Sequence, residues 1–178
     1  MAIYFIRHGQ SEFNAAYNGE ADPFIFDAPL TELGFQQAAA TKADVSELGI
    51  TRVITSPLTR AIQTSKTIFD GIAPIEVRHG HHELLKFSGD VGRHPEELRA
   101  DFPDLSFDNL PLRWWHSHED EDVQVLAEPV PVFQKRVAGF VAELENITSE
   151  TIAVVGHGNA FQEIIGFMMN NCQVHKYR

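Results

Sequence analysis

Ala2-Ile3-Tyr4-Phe5-Ile6-Arg7-His8-Gly9 is the stretch on which the fold of this 178-residue chain turns. Five apolar residues in a row, followed by arginine, histidine and glycine, describe a strand buried on both faces that ends in a polar pocket. The pattern returns far downstream, where Ile152-Ala153-Val154-Val155 runs into Gly156-His157-Gly158. Open α/β sheets bind ligands outside the carboxyl ends of their strands, so both imidazoles are expected in one pocket. Arg7 makes phosphate the leading ligand, because a guanidinium fork matches phosphate oxygens bidentately.

Outward from these two strands, apolar runs alternate with helical patterns. That alternation predicts an α/β fold: three layers, α/β/α, around a mostly parallel central sheet. Ala2–Ile6 is the first strand, and Thr31 is an N-cap for a helix running through Leu48, stopped by Gly49. Arg52–Thr55 is a second strand, and Pro57 sits near the start of a helix reaching Phe69. Ile75–Arg78 is a third strand. A long helix from about Pro131 to Asn146 places Val132, Phe133, Val137, Phe140, Val141 and Leu144 at helical spacing. Thr151–Val155 is the fourth strand, followed by a helix over Asn159–Met169, and Gln173–Tyr177 is a candidate edge strand. Between Gly80 and Glu128 the pattern loosens around Pro95, Pro103 and Pro111. This segment reads as an insertion with short helices overhanging the pocket, and His116–Asp122 within it reads as a flexible polar loop. Trp114-Trp115 is expected to anchor the insertion to the core.

Phe5-Ile6-Arg7-His8-Gly9-Gln10-Ser11-Glu12-Phe13-Asn14 resembles the signature of the histidine phosphatase superfamily, the phosphoglycerate-mutase-like proteins. The resemblance continues through Leu30-Thr31-Glu32-Leu33-Gly34 and Ser56-Pro57-Leu58-Thr59-Arg60-Ala61-Ile62-Gln63-Thr64, and closes with Gly156-His157-Gly158. These blocks fall in the family's order over nearly the whole chain. The resemblance implies one histidine phosphatase domain over residues 1–178, with a specificity insertion at about 80–128 and a phosphoglycerate-mutase-like fold. Gln10 and Phe13 stand where family members often carry glutamate and tryptophan, His81 stands where leucine is usual, and the stretch from about Glu83 to Val130 matches poorly.

The resemblance assigns His8 as nucleophile, and the chemistry agrees. A phosphohistidine intermediate divides one displacement at phosphorus into two easier ones. Attack requires the neutral ring, which Arg7 and Arg60 favour through like-charge repulsion. The other ring nitrogen is expected to donate to a backbone carbonyl. Arg7 and Arg60 are expected to clamp the phosphoryl oxygens, and His157 to donate to one of them. Ser11 and Asn14 occupy positions that contribute polar contacts to phosphate or substrate in the family. Glu83 fits the family's general acid, just after the third strand; Asp90, in Gly89-Asp90-Val91-Gly92, is its substitute. A carboxylic acid near a phosphate dianion keeps its proton through like-charge repulsion and can protonate a leaving alkoxide.

Composition bounds the rest. With 43% apolar and 22% charged residues, this is an ordinary globular chain. The formal charge of −11 argues against nucleic acid as a partner. A few arginines can still focus a positive potential in one pocket of an acidic protein. No apolar run approaches the ~20 residues that span a bilayer. No basic stretch precedes Ala2–Ile6, so no signal peptide is read there and a cytoplasmic enzyme is expected. One cysteine, Cys172, makes neither an internal disulfide nor a thiolate zinc site. His79, His81, His82 and Glu83 cluster, as do His116 and His118 among acids, but neither spacing matches a zinc motif. No metal and no other cofactor is expected.

The leading expectation is a metal-independent phosphatase acting on a small phosphorylated substrate through phospho-His8. A phosphoglycerate mutase is the nearest rival. It must hold a bisphosphorylated intermediate, for which the insertion offers only Lys86, Arg93, Arg99 and Arg113 in an acidic setting. The same residues also fit a phosphohistidine-protein phosphatase, or a non-catalytic phosphoryl-ligand-binding protein on this fold.

Overall fold

A computed structural model describes residues 1–117 and 125–178. The expected polar loop falls largely on 118–124, His118 included, and so lies outside the described residues.

Five strands form one sheet: Ala2–Arg7 (β1), Arg52–Thr55 (β2), Ile75–Val77 (β3), Thr151–Gly156 (β4) and Val174–Lys176 (β5). Their order is β3-β2-β4-β1-β5, with β1 to β4 parallel and β5 antiparallel to β1 at the edge. Among the described residues six helices accompany them: Glu12–Ala16 (α1), Glu32–Val45 (α2), Thr59–Phe69 (α3), Pro95–Asp101 (α4), Val130–Glu145 (α5) and Gly158–Ile165 (α6). The expected mixed α/β fold with helices flanking a mostly parallel sheet is the fold observed. The candidate edge strand at the C-terminal end is β5.

The pleat explains the layers. Ile3 and Phe5 point to one face with Ile54, Ile152 and Val154, where Phe140 and Leu144 of α5 and Phe161 of α6 cover them. Ile6, Val53, Ala153 and Val155 point to the other face, under Ala38 and Val45 of α2 and Ala61 and Ile68 of α3. Phe5 lies between Phe161 and Tyr177, each with its ring centroid 4.6 Å away. Truncating so enclosed a ring to alanine would cost about 3–5 kcal/mol.

Two helices end well before the sequence reading, and one short helix is missing from it. The helix α6 stops at Ile165, short of Met169, because Gly166 adopts the left-handed conformation (φ 83°) and ends it. The helix α2 stops at Val45, three residues short of Leu48, and α1 has no counterpart among the expected elements. Ser11 caps α1: its hydroxyl accepts from the Asn14 amide, and the Asn14 side chain accepts from the Ser11 amide.

The described part of the segment from Gly80 to Glu128 carries α4 and a 3-10 turn over Ser88–Asp90. Leu98 of α4 and Phe102 just after it pack with Phe107, Leu110 and Trp114 against Leu58, which caps α3, and Ile62 within it. Trp114 is buried and its indole N–H donates to the Arg93 carbonyl, 2.9 Å. Trp115 is half-buried and meets Trp114 edge-on.

Candidate active site

Register brings the two histidines together. β1 pairs with β4 so that Arg7 lies opposite Gly156, and the next residues in each chain are His8 and His157. The ladder continues one step further, with the His8 amide donating to the Gly156 carbonyl at 3.0 Å. The two imidazole centroids are 5.1 Å apart. Gly9 and Gly34 allow the loop behind His8 to close: a Cβ on Gly34 would lie 2.1 Å from the Gln10 carbonyl oxygen. That contact gives the Leu33-Gly34 pair a physical reason, since any side chain there would push the chain off His8.

The partners of His8 fix its tautomer. Its Nδ1 lies 2.7 Å from the Gly9 carbonyl oxygen, which can only accept, so Nδ1 carries the proton. Its Nε2 is then bare and accepts from Arg60 Nε at 3.3 Å. Burial, followed by the charges of Arg60 and Arg7, holds the ring well below the ordinary histidine range, the Gly9 carbonyl opposing. His8 is therefore neutral at physiological pH, with a lone pair on Nε2.

A cavity of about 150 Å3 opens beside it, and Arg7, His8, Ser11, Asn14, Arg60, Glu83 and Asp90 are all on its wall. Phe13, Phe87, Lys86 and Asn159 share that wall. This volume is below the roughly 300–1,000 Å3 of pockets for drug-sized ligands, and suits a phosphoryl group on a small carrier. His157 is fully buried and is not on the cavity wall; it backs His8. Its Nε2 lies 2.7 Å from the Ser56 hydroxyl, and its Nδ1 is buried without a protein partner among the described residues.

Both arginines are engaged by the protein. Arg7 Nη1 donates to the Met169 carbonyl at 2.6 Å, while its Nε is buried without a partner among the described residues. Arg60 donates from Nη1 to the Gly89 carbonyl and from Nη2 to Asp90 Oδ1, the latter at 3.0 Å. A phosphate on Arg60 would thus replace the 3-10 turn. Ser11 and Asn14 likewise bond each other in the cap of α1, although both reach the cavity.

The two candidate acids differ in setting. Glu83 sits at the start of α6, where its Oε1 accepts from the Leu84 amide (2.9 Å) and both oxygens accept from the Asn159 amide (3.1 and 3.2 Å). The carboxylate thereby occupies the helix N-terminus that an anion would otherwise take. Asp90 accepts from Arg60 and from the Lys86 and Phe87 amides. Burial pushes Asp90 up to about 6, against the pull of Arg60 and with reinforcement from the Glu83 charge.

The histidine-rich run is structural in its contacts. His81 is fully buried, stacks on Phe140 at 4.3 Å, and donates from Nε2 to the Val155 carbonyl at 3.1 Å. Burial brings it down to about 3, so it is a neutral core residue standing where an apolar one would fit. Among the described residues no three histidine, cysteine or carboxylate side chains converge on one point. No described helix is long and apolar enough to cross a membrane.

Several supports are not visible in the sequence. Thr64 Oγ1 accepts from the Gly9 amide at 3.1 Å, and Ser56 holds His157. Buried Asp27 accepts from the Thr59 amide at the start of α3 and from Arg93 Nε at 2.7 Å, which anchors the helix carrying Arg60. Asp22 pins the 3-10 turn by accepting from the Ser88 amide at 2.7 Å. The only hint is the pair of aspartates in a loop that otherwise reads as irregular.

Comparison with known proteins identifies the family and the fold. The model of the histidine phosphatase superfamily (branch 1) matches residues 3–177. A relative from Hydrogenobacter thermophilus, provisionally named phosphoserine phosphatase 2, is 25% identical over 165 residues, covering 92% of this chain and 76% of its own. A Yersinia pestis protein, provisionally named phosphoglycerate mutase GpmB, is 40% identical over 70 residues, 39% of this chain and 31% of that one. Among solved structures, phosphoserine phosphatase from Entamoeba histolytica in complex with 3-phosphoglyceric acid superposes with a TM-score of 0.62 at 23% identity. That superposition covers 97% of this chain and 87% of the other, and it shows a shared fold.

Proposed function

This chain belongs to the histidine phosphatase superfamily (branch 1), and from that premise we propose that it is a metal-independent phosphatase hydrolysing a small phosphomonoester through phospho-His8. The observation that carries the reading is the fixed tautomer of His8. Its Nδ1–H is committed to Gly9, and its Nε2 lone pair stands beside the Arg60 guanidinium.

In the first step Nε2 attacks phosphorus, a P–N bond forms and the P–O bond to the leaving group breaks. Glu83, as a carboxylic acid, passes its proton to the departing oxygen. Arg7 and Arg60 carry the charge on the equatorial oxygens through both steps, a role that arginines can fill without a metal. His157, off the cavity wall and held by Ser56, supports His8 from behind. In the second step Glu83 takes a proton from water, the water oxygen bonds to phosphorus and the P–N bond breaks. We place the whole reaction in one catalytic domain over residues 1–178, with specificity set by segment 80–128.

A phosphoglycerate-mutase reaction is the second reading, favoured by one observation: Lys86 stands on the cavity wall, where a second anion of the substrate would meet it. Hydrolysis of p-nitrophenyl phosphate in EDTA, by wild type and by His8→Ala, tests the main proposal. Steady turnover lost in the variant supports it. No turnover by folded wild type contradicts it, and so does full activity in the variant.

A further inference from the structure

Arg136 lies on α5, away from the cavity wall, yet its guanidinium is built into the loop that carries Glu83. Nε and Nη2 hold the two oxygens of Glu128 at 2.8 and 2.7 Å. Nη1 donates to the carbonyls of Gly80 (3.2 Å) and His82 (2.8 Å), and Nη2 also donates to that of Glu83 (2.8 Å). A guanidinium has five N–H donors, and here each has an acceptor. Glu128 is buried, and its own amide donates to the Leu85 carbonyl at 2.8 Å. The ion pair therefore grips both sides of the Gly80–Leu85 stretch, and the Phe133 ring lies 4.9 Å from the guanidinium carbon.

We propose that Arg136, held by Glu128, is a positioning residue that sets the Glu83 carboxylate against the leaving-group oxygen. The inference rests on the reading of Glu83 as general acid. Three carbonyls of one short loop converge on a single rigid fork, so the loop has little freedom to slide while that fork is in place. Lysine keeps the charge but offers only three donors around one point, and so cannot hold Glu128 bidentately and the three carbonyls together. A displacement of about 1 Å in a catalytic group is enough to cost roughly 100-fold in rate.

The test is the dependence of kcat/KM, which reports the step in which the leaving group departs, on the leaving group. A poor leaving group needs the acid, whereas p-nitrophenolate departs with little help. Wild type, Arg136→Lys and Glu83→Gln are compared on phenyl phosphate and p-nitrophenyl phosphate, with folding checked by thermal melting. The expected result is a loss of kcat/KM in Arg136→Lys about tenfold greater for phenyl than for p-nitrophenyl phosphate, in the same direction as Glu83→Gln. Equal losses on both substrates, or none, would overturn the inference while leaving a leaving-group effect in Glu83→Gln intact. Absence of that effect in Glu83→Gln would instead overturn the acid assignment, and the role of Arg136 with it. If Arg136→Lys does not fold, the Arg136→Met/Glu128→Leu double variant removes both buried charges together, an exchange that buried ion pairs often tolerate. It is read by the same ratio.

Discussion

Asp90→Asn is the most informative single change at the Arg60 clamp. In the structure Asp90 Oδ1 takes Arg60 Nη2 at 3.0 Å and the Gly89 carbonyl takes Nη1, so an incoming phosphate must displace the turn. Asparagine keeps one acceptor oxygen for Arg60, removes the charge, and turns its NH2 toward the Lys86 and Phe87 amides that Oδ2 accepts from, which loosens the turn further. A hydrogen bond to a charged partner contributes about 1.5–3 kcal/mol against about 0.5–1.5 for a neutral one, so the turn's hold weakens by about 1 kcal/mol. At 1.4 kcal/mol per decade, inorganic phosphate should bind about fivefold more tightly to the variant. Competitive inhibition of p-nitrophenyl phosphate hydrolysis by phosphate reads this directly. The gain belongs to ionised Asp90, which titrates at about 6. It is therefore full at about pH 8 and gone below about pH 5, where wild-type Asp90 is itself neutral. Taking the ratio of the two proteins at each pH removes the titration of phosphate. Equal or weaker phosphate binding by Asp90→Asn at about pH 8 would show that Asp90 does not hold Arg60 against phosphate. A fall in its kcat on phenyl phosphate, with p-nitrophenyl phosphate spared, would make Asp90 the acid in place of Glu83.

Two further changes follow from the packing. His81 is buried and neutral with its pKa brought down to about 3, so below about pH 6.5 the unfolded chain binds a proton there that the folded chain does not, and stability falls as pH falls. His81→Leu removes this loss: at about pH 5 the variant should gain about 2 kcal/mol relative to its difference from wild type at about pH 8, or roughly 4–8 °C in Tm. A pH-independent Tm difference would contradict it. Ser56→Ala removes the hydroxyl 2.7 Å from His157 Nε2. It should lower kcat on p-nitrophenyl phosphate about tenfold with KM within about twofold, the cost of leaving a buried polar atom unpaired; unchanged kcat would deny His157 its role.

The parts of the site fixed by strand ends are legible in the sequence. Ala2–Ile6 and Ile152–Val155 are continuous apolar runs, which only a doubly covered parallel strand accounts for, and their register then dictates that His8 and His157 meet. The donation from His8 Nδ1 to a backbone carbonyl is expected in kind, though the identity of Gly9 is not. What sequence cannot give is held by contacts between residues far apart in the chain. Nothing local to Arg136 shows that Gly80, His82, Glu83 and Glu128 will surround it. Asp27 and Arg93 are separated by 66 positions. The short helix α1 leaves a trace: Ser11 followed three residues later by Asn14 is a capping pattern, but its apolar face is too small to show a period. The pattern overshoots the end of α6 because Ile164, Ile165, Phe167, Met168 and Met169 continue the apolar run past Gly166, and there the backbone conformation of one glycine outweighs it.

Passage of the phosphoryl group through His8 is read most directly from intact-protein mass after rapid quenching of the reaction with p-nitrophenyl phosphate under alkaline conditions that preserve phosphohistidine. Wild type and Ser56→Ala are predicted to gain one phosphoryl group, mapped to His8 on the peptide containing Arg7 to Asn14, and His8→Ala to gain none. A phosphoryl adduct that persists in His8→Ala, or wild-type turnover with no adduct at any quench time, would contradict the account.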